Sequence, residues 1–234
     1  MTTATNSETT MKISKRTLDI LKNFAGINTG ILVNEGNTIS TLSNTKSIFA
    51  EAKVDETFTR QFALWDLNKF LGTVSMFKDP EFVFEQNHIT IKNGKSSLKY
   101  YYCDPKLVMS TNKKINMPTA VVSFTLLSKD FSEILKAASV LQVQHIFVEP
   151  TEDGSQVQIV ARDKDDSTSN QYSLIVGENE GSADFQFIFD VENLKILPGD
   201  YQVEISEKVV SKFSNKNEPL TYWIALHADS SYTA

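Results

Sequence analysis

The chain has 234 residues, 41% hydrophobic and 22% charged, a globular composition at a length that suits one large domain or two of ordinary size. Its net charge of −6 argues against binding nucleic acid through the whole surface, so any polyanion would have to meet a local basic face. A single cysteine, Cys103, leaves no internal disulfide or cysteine cluster, and no run approaches the ~20 apolar residues that span a bilayer, so a soluble protein of a reducing cytoplasm is expected.

Met1 to Thr10 is polar and Thr-rich, and is expected to be a disordered tail or an upstream extension of a fold that starts at Met11. From Ser14 to Ala25 the chain reads as an amphipathic helix, with Ser14 as N-cap and Leu18, Leu21 and Ala25 at helical intervals. Lys15 and Lys22 lie seven residues apart, and at ~100° per residue they return to one face, opposite that stripe. Strands are expected over 27–34, 38–42, 47–54 and 57–64, with turns at 34–37 and 55–56. Asp66 then caps a second helix over 66–77, which carries Lys69 and stops before Pro80. Three more strands, 81–85, 88–92 and 96–103, close this half, the last two around Asn93-Gly94, a pair suited to the positive φ angles of a type I′ hairpin.

Periodicity stops between Asp104 and Thr119, where Pro105, Asn112, Lys113, Lys114 and Pro118 break any regular element. This connector is too apolar, through Leu107, Val108, Met109, Ile115 and Met117, to float free of a domain. The second half then runs as a strand over 120–126, a helix from Ser128, and strands over 143–149, 156–161, 171–176 and 184–189. A short helix over 190–196, halted by Pro198-Gly199, precedes strands at 200–206, 208–213 and 221–226.

The two halves repeat one plan. Ser14-Lys15 and its helix return at Ser128-Lys129, again with a serine N-cap, with Phe131, Ile134, Leu135 and Ala138 as the apolar stripe. Lys129 and Lys136 stand seven apart on the opposite face, as Lys15 and Lys22 do. A strand running into an Asp-capped helix also occurs twice, at Asp66 and at Asp190. The expected fold is therefore α+β, with tandem duplicated domains over 11–103 and 120–234 joined by a connector over 104–119, each with two helices packed on antiparallel sheets.

No catalytic constellation emerges. His88, His145 and His227 all fall in strand-like runs without a partner motif, and the serines form no nucleophile elbow. Gly94-Lys95-Ser96 resembles the end of a phosphate loop, but Ile89 stands where its first glycine belongs. Asp163, Asp165 and Asp166 lack the glycine and closing glutamate of a calcium loop. Neither a metal nor a cofactor is expected, and an enzyme would need a pocket of convergent titratable groups.

Several short stretches, in order over nearly the full length, carry a resemblance. They are Met11-Lys12-Ile13-Ser14-Lys15, the run from Leu21 to Asn28, and Asp66-Leu67-Asn68 with Phe70-Leu71-Gly72. Asp104-Pro105 with Val108 follows, then Asn112-Lys113 with Ile115 and Pro118. Leu194-Lys195 with Pro198-Gly199 and Tyr201, and Ile224-Ala225-Leu226 with Ala228-Asp229-Ser230, complete the set. From Met11 to about Ser230 the chain resembles the DNA polymerase sliding clamps of T4-type bacteriophages.

The resemblance implies a homotrimeric ring, with the DNA clamp fold, that encircles duplex DNA, tethers the polymerase, is opened by an ATP-dependent clamp loader, supports late transcription and performs no chemistry. It would act in the cytoplasm of the infected bacterial host, without membrane or cofactor. Lys15, Lys22, Lys69, Lys129, Lys136 and Lys195 would face the DNA; Ser139 departs from the basic residue that pattern expects. An apolar pocket for partner peptides would draw on Leu42, Val108, Met109, Ile115 and Met117, although these residues could equally pin the connector to its own domain. A strand near Phe213 or Tyr222 could form a subunit interface.

Helix count fits a trimer: twelve helices at ~10 Å between axes give a circumference of roughly 120 Å. Less a helix radius of ~5 Å all round, the hole is about 28 Å wide, against roughly 20 Å for a duplex and about 15 Å of hole in a dimer. The alternative from another class is a ring-forming virion or assembly protein built from duplicated α+β domains, which has no need for lysines on one face of repeated helices.

Overall fold

The computed structural model describes residues 10–166, 168–179, 181 and 183–233. The expected tail falls outside these residues except for Thr10, which lies in a strand. Backbone contacts divide the chain into two units: the described residues to Asn44 with Glu51–Asn112, and Thr45–Ala50 with the described residues from Lys113.

The first unit runs β1 (Thr10–Met11), α1 (Lys15–Ala25), β2 (Ile31–Val33), β3 (Gly36–Leu42), β4 (Ile48–Phe58), β5 (Phe62–Leu64), α2 (Leu67–Ser75), β6 (Glu81–Phe84), β7 (His88–Asn93) and β8 (Ser96–Tyr101). Its strands are ordered β1-β6-β7-β8 and β5-β2-β3-β4. Ile48–Ala50 at the start of β4 belong by their contacts to the second unit, where Phe49 packs on Trp223 and the Ala225 N–H donates to Ser47 O.

The second unit runs β9 (Val122–Leu126), α3 (Ser128–Leu141), β10 (His145–Pro150), β11 (Gln156–Arg162), β12 (Tyr172–Glu178), β13 (Asp184–Asp190), β14 (Tyr201–Ser206), β15 (Val210–Asn215), β16 (Leu220–Ala225) and β17 (Ser231–Thr233). Its strands are ordered β12-β11-β10-β13-β17 and β16-β15-β14-β9. Helices on antiparallel strands make the fold α+β, and β1 and β17, too short to show a period, are additions to the expected elements.

Ser14 caps α1, accepting the Thr17 N–H on its Oγ, and Thr17, Ile20, Leu21, Phe24 and Ala25 form the buried stripe. The turn that the sequence predicts at Asp55-Glu56 is absent, and β4 passes straight through these residues. Alternation is the reason: Ala52, Val54, Glu56 and Phe58 all point inward, and the buried Glu56 carboxylate accepts the Ser14 N–H and the Thr17 hydroxyl at the start of α1. A carboxylate there also favours the positive end of the helix dipole. An acidic residue in a strand thus serves as part of a helix cap.

The second helix start differs from expectation. Ser128 is the first residue of α3 rather than its cap; Leu127 holds the cap position without a side-chain bond. The Ser128 N–H donates instead to Asp200 Oδ1 at 2.8 Å. Both helices therefore have a carboxylate from elsewhere in the chain at the N–H of the serine that opens the repeat.

A second correction concerns 190–196. Only a 3₁₀ turn forms, Val191–Asn193, so the described residues of the second unit hold one α-helix and one 3₁₀ turn in place of two helices. Pro198 disfavours helical backbone at Leu197, and Leu197 is held at both polar groups: its carbonyl accepts from Tyr201 Oη at 2.7 Å and its N–H donates to Tyr222 Oη at 3.1 Å. Leu194 and Ile196 are buried on either side of exposed Lys195, the alternation of an extended chain. A smaller correction is the β7–β8 turn, which is centred on Gly94-Lys95 with Asn93 paired to Ser96. Gly94 (φ 56°) there takes the positive φ that a first central position requires.

Phe58, Phe62, Phe84 and Tyr102 stack edge to face and face to face in the first unit. In the second, Phe131 and Ile134 of α3 sit over Ile146, Val148, Ile159, Phe189 and Phe213, leaving a void of about 20 Å³. Phe213 and Tyr222, weighed from sequence as interface residues, are both buried in their own unit. Burial pushes the Tyr201 hydroxyl up to about 12 and Tyr222 higher still. The unfolded chain ionises near the ordinary tyrosine value of about 10 while the folded chain keeps these protons, so stability is full below that value and falls as pH rises through it. The slope expected above about pH 10 is about 1.4 kcal/mol per pH unit for each buried tyrosine. Urea melts of the protein and of Tyr222→Phe on either side of that pH check this: the variant should lose less stability with pH, despite costing about 1–3 kcal/mol at neutrality through the orphaned Leu197 N–H.

Candidate functional site

On α1, Lys15, Asp19 and Lys22 are exposed on the side away from the buried stripe, as the seven-residue spacing requires. On α3, Lys129, Glu133 and Lys136 repeat the arrangement over buried Phe131, Ile134 and Ala138. The acids on the two faces differ in their engagements. Glu133 accepts a hydrogen bond from the Tyr172 hydroxyl of β12, which raises the tyrosine's pKa. Lys129 Nζ lies 4.0 Å from Asp130 with its side chain 77% exposed, a pair too solvated to hold it.

Lys69 lies in the first turn of α2, where Asp66 Oδ1 accepts its backbone N–H at 2.8 Å, and its side chain is exposed. Because α1 and α2 pack together, Lys15, Lys22 and Lys69 come from neighbouring helices of one unit. Lys195 is exposed as well, on the extended stretch after the 3₁₀ turn instead of on a helix.

Of the five apolar residues considered for a partner pocket, the structure brings three together. Asn28, buried just beyond α1, donates from Nδ2 to Leu42 O at 2.9 Å and to Met109 O at 3.1 Å, and its Oδ1 accepts the Gly30 N–H. Val108 is buried against Gly30, where an added Cβ would stand 3.2 Å from Val108 Cγ2 and 2.9 Å from Leu64 O. Val108 therefore pins this part of the connector to the first unit. Met109 and Leu107 remain exposed at 38% and 59%, as does Trp65 of the same unit at 59%. Ile115 and Met117 are half-buried and belong to the second unit. Sequence reasoning missed Asn28 as an organiser; its signal was an Asx turn two residues before a glycine.

The histidines divide. His88 is a buried sheet residue, with Nδ1 2.7 Å from Asn87 Oδ1 and Nε2 3.0 Å from Glu85 Oε1 but outside hydrogen-bond geometry. His145 and His227 meet in the second unit, ring centroids 5.7 Å apart, beside Asp190. Cys103 is half-buried, and burial pushes its pKa up.

Comparison with known proteins gives a consistent picture. The family described as "DNA polymerase processivity factor" matches residues 12–117, and "gp45 sliding clamp, C terminal" matches residues 123–228. A sliding clamp of Vibrio phage KVP40 is 30% identical over 222 residues, covering 93% of this chain and 100% of that protein. One of Escherichia phage RB69 is 33% identical over 229 residues, with 95% and 99% covered. Among solved structures, A. fulgidus PCNA with the C-terminal region of FEN-1 bound superposes with a TM-score of 0.69 at 11% identity, over 95% of this chain and 98% of that one. The H. pylori beta clamp in complex with 5-chloroisatin gives 0.70 at 12%, over 97% and 68%. At such identities those two likenesses are of fold alone.

Proposed function

The chain belongs to the sliding clamps of T4-type phages, which are DNA polymerase processivity factors, and on that premise we propose that three copies close into a ring around duplex DNA and tether the replicative polymerase in the cytoplasm of the infected bacterium. The observation that carries the reading is the repeated lysine face, Lys15 and Lys22 on α1 and Lys129 and Lys136 on α3, in an otherwise acidic chain. Lys69 and Lys195 add to it. Lysine suits a moving contact, since it is a hydrated point charge without arginine's bidentate grip. Contact with phosphates alone is blind to sequence, and a topological link needs nothing tighter. To such a ring each chain's described residues bring three α-helices, with a 3₁₀ turn at Val191–Asn193 where the fourth helix was expected. The protein tethers and slides; it performs no chemistry itself.

An ATP-dependent loader would open the ring, and late-transcription factors would share it with the polymerase. Partner tails would dock on the apolar group of Leu42 and Met109 backed by Val108, with Ile115 and Met117 nearby in sequence. The bound C-terminal region in the A. fulgidus PCNA structure supports such a mode.

Light scattering over a concentration series, with retention on circular against linear DNA after loading, tests this. A three-chain species held on circles and lost from linear ends is the expected result. A monomer or dimer, or equal binding to both DNAs, would overturn it, and a ring that holds no DNA would favour the assembly protein.

A further inference from the structure

We propose that His145, Asp190 and His227 form a binding site for one divalent transition ion of the zinc class. The three residues come from separate elements. His145 opens β10 and Asp190 closes β13, directly opposite in the antiparallel ladder. His227 follows β16, its N–H donating to Ile188 O at 2.8 Å, and so lies on the short segment that leads into β17. One ligand atom from each residue lies within 4.8 Å of the others.

The spacing is that of a site waiting to close. His145 Nε2 and Asp190 Oδ1 stand 3.7 Å apart, too far for a hydrogen bond. Tetrahedral zinc, with bonds of about 2.0–2.2 Å, needs its ligand atoms about 3.3 Å apart. Side-chain rotations would bring the His145–Asp190 pair in by about 0.4 Å and the pairs with His227, within 4.8 Å, by up to about 1.5 Å. Side-chain exposures of 15% at His145, 31% at Asp190 and 28% at His227 leave the site sheltered yet within reach of solvent, so that water would supply a fourth ligand.

Outer contacts orient the ligands as metal sites require. Asn193 Nδ2 is 3.4 Å from Asp190 Oδ2, and Asn193 is itself held by the Ser47 hydroxyl at 2.9 Å. On the far ligand, His227 Nδ1 accepts the Asp229 N–H at 3.2 Å with the Asp229 carboxylate 3.5 Å away, so Nε2 becomes a ligand only once the ring proton moves to Nδ1. Binding selects the tautomer with its proton on Nδ1, toward that carboxylate. Lys164 Nζ, 2.9 Å from Asp229, holds the carboxylate in place. Two imidazoles and a carboxylate suit zinc and its neighbours rather than magnesium or calcium, which take oxygen ligands. A bound ion would tie the β10–β13 ladder to the segment before β17.

The test is calorimetric titration of the chelator-treated full chain with Zn²⁺, repeated with Mg²⁺ and Ca²⁺, and with Co²⁺ followed by its visible absorption. Expected are one Zn²⁺ per chain, a tetrahedral-type Co²⁺ spectrum, a raised thermal midpoint, and affinity at least tenfold weaker in His227→Gln and in Asp190→Asn, roughly the loss seen on disturbing metal sites. His145→Gln, with folding checked by circular dichroism, guards against a variant that fails for structural reasons. Zinc binding no tighter than that of Mg²⁺, or tight binding that survives in every folded variant, would overturn the site.

Discussion

Replacing Glu56 with alanine is expected to remove about 3–5 kcal/mol of stability, because two bonds to an ionised acceptor, worth about 1.5–3 kcal/mol each, disappear together. The Glu56 side chain points inward from β4, and its carboxylate takes the Ser14 N–H and the Thr17 hydroxyl. Thr17 is fully buried, so no water replaces what it loses. Against the roughly 5–15 kcal/mol that keeps a typical domain folded, this is a large share. Glu56→Gln retains an amide oxygen as acceptor but loses the charge at the helix start, worth about 0.3–1 kcal/mol, and should fall between. Urea denaturation followed by circular dichroism reads both. An alanine variant within about 0.5 kcal/mol of the parent, the range of an ordinary surface substitution, would mean that Glu56 does not anchor α1.

The joint variant Lys15→Ala, Lys22→Ala, Lys129→Ala and Lys136→Ala should fold like the parent and hold DNA much less well. All four lysines are exposed, so little stability is at stake. Every phosphate that no longer meets a lysine lowers the magnitude of the salt slope by about 0.9. A three-chain ring loses twelve lysines in this variant, and for every four that engage phosphates at one time about a hundredfold of the affinity change between about 50 and 200 mM salt disappears. Loading on circular DNA and processive synthesis should fall with it, most visibly at the lower salt. The measurement is DNA retention against salt for both proteins; an unchanged slope would reassign these lysines to plain solvation of a helix face.

The features legible in the sequence were those written in a local period. Lys15 and Lys22 lie seven apart, and so do Lys129 and Lys136; a helix turns that spacing into a shared face wherever it packs. The α1 and α2 caps are local too, since Ser14 and Asp66 each bond a backbone N–H three residues on. The α+β class followed from short β-branched runs between two helical repeats.

What escaped depended on partners distant in the chain. Glu56 looked like a turn residue because its partners lie some forty positions upstream, across the helix it caps. Ser128 looked like a cap because Asp200, which takes its N–H, cannot be seen from α3. The expected fourth helix gave way to a 3₁₀ turn once Tyr201 and Tyr222 claimed both polar groups of Leu197. His145, Asp190 and His227 met only when β10, β13 and the end of β16 were laid together. Helical faces, the duplication and the charge on those faces were settled by the order of residues alone, because they are properties of neighbours along the chain. Which buried polar groups pair, and which side chains converge, waited on folding, because a desolvated group takes the partner that packing brings to it, however far away in sequence.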